Sequence, residues 1–515
     1  MEVNRLCSVV LFAVSLTTQA ADVQLLKKLA LATEQSKSIS ESYTKLMDLK
    51  SNAFQAGIEE KALFHRQLSK ILFDAGYPLL GATELSEAQK TLGKSSPKWI
   101  NSIYVEAFNA YKKIDLDNIL IEIDYPIDFN PAGFGKNWNY IRGLKYEREG
   151  KISEAKQSFS AVDQNSWNYP KALFHKTILE VSENDFESAK KNLRSLLIRL
   201  DLRQGTLYPE STKKKLRNEA WLNLGRIFYE SSKFDESIKA YRNVERKTPY
   251  YSDALFESAW ALFLGGYPNH ALGSIYSISS PWYADRYKPE ADMLESIIYF
   301  WLCDYNASRI SLANFLTKHQ KTIAGLKTFL TNKNPDPRNA WDMFDNFVTG
   351  VSSDSIGIDR KLLAEAIYQE SLVPFREHLA SLFEEKAKLY KKGIKGNKNT
   401  EDLDSILNSQ IENGKILIGK QLIRELRVID ADFDRLREHA ELLYVELLTS
   451  EKDRLLGKEL FEESKIKDTN TKKPSFWTIG VKQTWAASDK DEYWSDEIGF
   501  YVFKEKSMCM ETRKE

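Results

Sequence analysis

Small residues recur at a nearly constant interval through the middle of this 515-residue chain, and that interval limits the fold more than any other feature. Aligned on Ala155, Ala189, Ser237, Ala271 and Ser308, the successive separations are 34, 48, 34 and 37 residues. Large apolar residues flank each one at helical spacing. Gly143, Tyr146, Gly150, Ile152, Phe159 and Val162 surround Ala155; Trp221, Leu224, Gly225, Phe228, Phe234, Tyr241, Val244 and Pro249 surround Ser237. A small residue lets two helices approach, and the large ones fill the gaps between turns. A unit of this length is a helix pair that cannot bury its apolar face alone, so neighbours must stack. The longer step contains a polar, proline-bearing insertion over 199–215, which reads as a loop.

The spacing Trp221, Leu224, Gly225, Phe228 resembles the start of a tetratricopeptide repeat. The resemblance implies an all-α fold, a tetratricopeptide-like α-solenoid whose first helices line a protein-binding groove. Carried onto this chain, its groove positions are Tyr140, Leu144 and Arg148, then Leu222, Arg226 and Tyr229. Phe256, Trp260 and Phe263 follow, then Ile297, Phe300 and Trp301. The later positions are markedly aromatic, as interface anchors are.

Outside the array the chain changes character. Arg5, the apolar run Leu6–Leu16 and Thr18-Gln19-Ala20 have the layout of a cleavable signal peptide over 1–20. Cutting before Ala21 would place the mature protein in an extracytoplasmic compartment, most simply the periplasm of a Gram-negative bacterium. Residues 21–135 read as a helical N-terminal region with possible divergent repeats, unphased, and 136–320 as the repeats. A long-helix, coiled-coil region spans 321–465, and a short β-prone tail spans 466–515. Ile358–Lys392 reads as one long helix bent at Pro374, and Glu401–Lys465 as a second. In the second, Leu422, Leu426, Ile429, Phe433, Leu436, Ala440, Leu443 and Leu447 step by four and three, a coiled-coil seam. An antiparallel hairpin and an intermolecular pairing both satisfy that seam. In the tail, Phe476–Val481 and Gly499–Phe503 suit a small hairpin or an extended segment packed on the helices. With Cys7 removed, Cys303 and Cys509 remain, and an oxidising compartment favours a disulfide between them over two unpaired thiols.

Patterns that carry chemistry are missing. Lys plus Arg and Asp plus Glu are both 73, so no net field gathers nucleic acid or an anionic membrane surface. The 6 histidines are scattered without metal-ligand spacing. Gly133-Phe134-Gly135-Lys136 lacks the form of a phosphate loop, and there is no G-x-S-x-G elbow. The basic run Lys391–Lys398 reads as a solvated loop tip. After the signal, no run reaches the roughly 18 apolar residues that cross a bilayer. The expectation is a protein that is not an enzyme, with no cofactor and no metal, acting through other envelope proteins.

Several further segments carry a narrower resemblance. They are Tyr287-Lys288-Pro289-Glu290-Ala291, the helix end Ile298–Tyr305, Ser450-Glu451-Lys452, and Glu492–Gly499 leading to Ser507-Met508-Cys509. Over roughly 135–510 the chain resembles periplasmic tetratricopeptide proteins of the adventurous gliding motility family. That implies a scaffold in an envelope-spanning complex. The alternatives are a tetratricopeptide adaptor in outer-membrane or peptidoglycan assembly, and a repeat-bearing exported hydrolase.

Overall fold

The computed structural model describes residues 24–25, 28–29, 38–92, 138–201, 210–283, 286–331, 335–350, 357–392, 394, 397, 400–456, 485–486 and 493–509. The signal segment, the irregular stretch 124–136 and Phe476–Val481 lie outside these residues. The described chain is all-α apart from one two-residue strand pair and an isolated bridge between Ile394 and Asn397. It divides into two compact units, Met1–Gly150 with Val373–Ile418, and Lys151–Leu372 with Gly419–Glu515. These cuts fall elsewhere than the sequence-based boundaries, because the long helices pack back on earlier elements instead of forming a domain of their own.

In the first unit, α1 (Ile39–Asp48), α2 (Lys50–Ala56), α3 (Ile58–Ala75) and α4 (Pro78–Leu92) come before α5 (Trp138–Arg148). Helix α17 (Val373–Lys392) packs on α4, where the buried Glu385 carboxylate accepts from the Leu79 and Leu80 amides at 2.7 and 3.1 Å. These are orphan donors of the α4 N-terminus, and the carboxylate suits that end of the helix dipole. Helix α18 (Glu401–Leu455) gives this unit its first turns, which run antiparallel to α17: Leu379 lies against Gly414, and Lys386 donates to Asn408. The expected single helix Ile358–Lys392 is broken. Arg360–Ile367 forms α16, Glu370–Leu372 a 3₁₀ turn, and α17 starts at Val373. Pro374 sits in the first turn of α17, where its missing N–H leaves no bond unmade, so it starts a helix and bends none.

The second unit holds the pairs α7 (Tyr169–Ser182) with α8 (Phe186–Asp201), α9 (Glu210–Glu230) with α10 (Phe234–Tyr241), and α11 (Tyr251–Leu264) with α12 (Pro268–Ile278). Helix α6 (Ile152–Ser160) packs on α7, and the last pair is α13 (Pro289–Trp301) with α14 (Tyr305–Thr331). Most of the expected 199–215 loop is helical, since α8 runs to Asp201 and α9 begins at Glu210. First helices lie side by side, α7 on α9, α9 on α11 and α11 on α13. Helices α15 (Pro337–Thr349) and α16 follow, and the rest of α18 returns along α14. There Arg309 pairs with Glu451, Phe315 meets Phe433, and Lys327 bridges Asp430 and Asp434, an antiparallel order.

One turn joins the two helices of each pair. Asn184, Ser232, Gly266 and Cys303 adopt positive φ, and the next residue donates back five positions: Asp185 to Glu180, Lys233 to Phe228, Tyr267 to Leu262, and Asp304 to Tyr299. This is a Schellman end. Gly76 and Tyr77 make the same turn between α3 and α4. Five residues past each left-handed residue stands the small residue of the register, Gly81 included, and there the helices touch. Ser69 Oγ donates to the Gly81 carbonyl at 2.6 Å, Ser237 Oγ to the Gly225 carbonyl at 2.8 Å, and Ser296 Oγ to the Ser308 carbonyl at 2.9 Å.

The chain's last described stretch straps the outer side of α12. Gly499 N donates to Ser277 Oγ at 2.9 Å and Phe503 N to the Asn269 carbonyl at 3.1 Å. The Asn269 side chain both accepts from Glu505 N and donates to its carbonyl, at 2.9 and 3.0 Å. Tyr493 stacks on Tyr276 with centroids 4.5 Å apart, and the Arg246 guanidinium lies 4.4 Å from the Phe500 centroid. Within the strap β2 (Tyr501–Val502) pairs in parallel with β1 (Trp485–Ala486), so this pair is not a hairpin. Met508 N donates to the Leu302 carbonyl at 2.8 Å, and Cys509 closes a disulfide with Cys303.

The core under the strap contains a titration. Burial first, and the Arg242 charge second, push His270 from 6.5 down to about 4. The folded value lies below the unfolded one, so acidification from 6.5 to about 4 favours the unfolded chain, which takes up the proton first. His270→Gln should flatten the acid limb of a urea-stability profile over that window, by at most about 3 kcal/mol. An unchanged limb would show that another group carries it.

Candidate protein-binding face

Nine of the twelve expected groove positions lie on the first helices α9, α11 and α13. Three of the twelve named positions are core residues. Leu222 and Phe263 are buried in this unit, and Tyr140 is buried in the other. Leu144 is half-buried and Arg148 exposed, also in the other unit. Arg226 is committed to Glu257 on the next first helix, Nη2–Oε1 2.6 Å and Nε–Oε2 2.9 Å. Tyr229 rests edge-on against Phe234 at 5.8 Å.

The aromatic end is assembled around Phe263. Trp260 meets it at 6.5 Å and Trp301 at 5.7 Å, the latter edge-to-face, a geometry that adds to burial. Phe256, Trp260, Ile297, Phe300 and Trp301 are all half-buried. Two ionic knots hold this end in place. Lys288, at the foot of α13, lies 3.1 Å from Asp253 on α11 and 2.9 Å from Glu365 on α16. Burial opposes the ammonium charge, but the two carboxylates outweigh it and raise the lysine above its ordinary value. Asp292 on α13 takes His319 at 2.5 Å and Lys318 at 2.6 Å. Burial works against its charge as well, yet these partners hold it below the usual carboxylate range. Both sets join neighbouring helices through ion pairs whose members are already taken, an arrangement suited to rigidity.

Helix α18 supplies what the groove positions alone did not reveal. It crosses the aromatic end and leaves a cleft of about 620 Å³, lined by Phe263, Leu264, Met293, Ile297, Phe300 and Trp301 on the pair side, and by His439, Leu442, Leu443 and Glu446 on α18. On α13, burial first and the Asp432 charge after it raise the Glu290 carboxyl above its ordinary value. The seam residues Leu422, Leu426, Phe433, Ala440, Leu443 and Leu447 are buried. The sequence signal for the cleft wall was Leu442, an apolar residue lying off that seam and left exposed.

Among the described residues, no three His, Cys, Asp or Glu side chains converge as a metal group, and no helix is long and apolar enough to cross a membrane. No protein-family model matches the chain, and no curated protein matches it.

Proposed function

We propose that this chain is a non-enzymatic scaffold of tetratricopeptide type, exported to the periplasm, that binds other envelope proteins on the inner face of its helix pairs. The observation that carries the reading is the side-by-side row of first helices ending in half-buried aromatic residues and an apolar cleft. Trp301 is the anchor best placed for it, since it packs on Phe263 and still lines open space. The narrower resemblance favours a gliding-type surface-motility complex over outer-membrane or peptidoglycan assembly. A deletion strain separates these: lost surface movement with an intact envelope supports the first, detergent sensitivity the second.

Affinity capture from native envelopes is the direct test. Trp301→Ala should lower capture of each specific partner by about 30-fold, the loss of one hot-spot anchor, with helicity kept. Capture at wild-type level would remove this face from consideration, and loss of helicity would make Trp301 a core residue. Trp260→Ala, one helix away, is the companion variant.

A further inference from the structure

The cleft is apolar in an unusually complete way. Apart from the Trp301 indole, its polar side chains are only His439 and Glu446. Leu264 and Leu442, from α11 and α18, are 47% and 63% exposed, so the cleft is reached directly from solvent. An extended segment entering it would find few partners for its main-chain N–H and C=O groups, which is costly. A helix satisfies those groups internally and offers only side chains. One carboxylate lines the mouth, that of Glu446. Glu446 makes no ion pair among the described residues, whereas Glu441 on the same stretch is already paired with Arg437 at 3.6 Å. A desolvating surface beside an unpaired carboxylate attracts a cation and repels an anionic headgroup.

We infer that this cleft receives a basic amphipathic helix of a partner protein, its apolar side chains entering between Phe300 and Leu442 and a lysine or arginine meeting Glu446. The inference rests on the scaffold reading and adds the chemistry of the partner. The volume of about 620 Å³ suits the few side chains that one helix face inserts.

The test uses the full chain and two labelled 18-residue amphipathic peptides of one pattern, one of Leu and Lys, the other of Leu and Glu, read by fluorescence anisotropy. The Lys peptide should bind at least ten-fold tighter, with a preference that shrinks as salt rises. Leu442→Asp should weaken it at least ten-fold, and Glu446→Lys should reverse the preference. Both side chains are exposed, so circular dichroism should match wild type, and Leu264→Asp repeats the test from another wall. Equal binding of the two peptides overturns the inference, as does binding untouched by both aspartate variants. Envelope partners that stay bound to Leu442→Asp sink the cleft while the scaffold stands. A wild-type chain that captures nothing sinks the scaffold reading instead.

Discussion

Gly273→Val is expected to unseat the C-terminal strap. A Cβ at Gly273 would stand 1.7 Å from the Tyr501 carbonyl oxygen and 2.4 Å from its carbon. Those atoms are main chain and cannot rotate aside, so the segment itself must lift. Lifting it exposes its own Ile498 and Tyr501, which are buried against the helices, and breaks the bonds to Asn269 and Ser277. Burial of two large side chains plus a few hydrogen bonds amounts to about 4 kcal/mol. The urea midpoint should fall accordingly, and limited proteolysis should cut within 493–509 in the variant first. Gly350→Ala is the control. It also has positive φ, but nothing lies within 4 Å of its Cβ, so only about 1 kcal/mol of backbone strain is expected. Equal losses in both variants would mean that the strap contributes little.

Cys303→Ser should lose the cross-link between residues 206 apart in sequence, a change of about 3–5 kcal/mol in unfolding free energy. Cys509→Ser should match it, and wild type with reductant should fall on the same curve. Cys303 adds a second test because its φ is +58°, in the turn position that Gly266 fills one pair earlier. A side chain there costs about 1 kcal/mol, so Cys303→Gly should lose less than Cys303→Ser by roughly that amount. Identical unfolding curves for those two variants would contradict the strain argument.

The middle of the chain was readable because its register residues do local work. Ala189, Ser237, Ala271 and Ser308 each lie on the second helix of a packed pair, and the buried Ala155 lies on α6, which packs on α7, so their size is constrained wherever they occur. The turns themselves were harder to see, since the left-handed position is Gly in one place and Asn, Ser or Cys in others. The pair α3–α4 escaped phasing although Gly76-Tyr77-Pro78 and Gly81 repeat the order Gly266-Tyr267-Pro268 and Ala271. Gly81 and Ala155 are 74 residues apart, about two steps of the register, but no Gly, Ala or Ser stands near the midpoint at Asn118 to link them. The groove rule assumes a face open to water, whereas packing buries Tyr140, Leu222 and Phe263, the last of which still lines the cleft. A seam along α18 shows that one stripe is apolar and does not name its partner. That partner is α14 in the second unit and α17 in the first, and only long-range folding decides it.

The strap's alignment on α12 follows from a numerical coincidence. Four helical residues rise about 6 Å and two extended residues about 6.6 Å, so Asn269, Gly273 and Ser277 keep step with every second residue of the tail. Sliding by one residue would turn Tyr501 outward. Sliding by two would preserve the alternation and put Phe503 in its place, with the carbonyl pattern nearly unchanged. The bond from Cys509 to Cys303 forbids that shift, and so it selects a single alignment where main-chain grip alone would tolerate two.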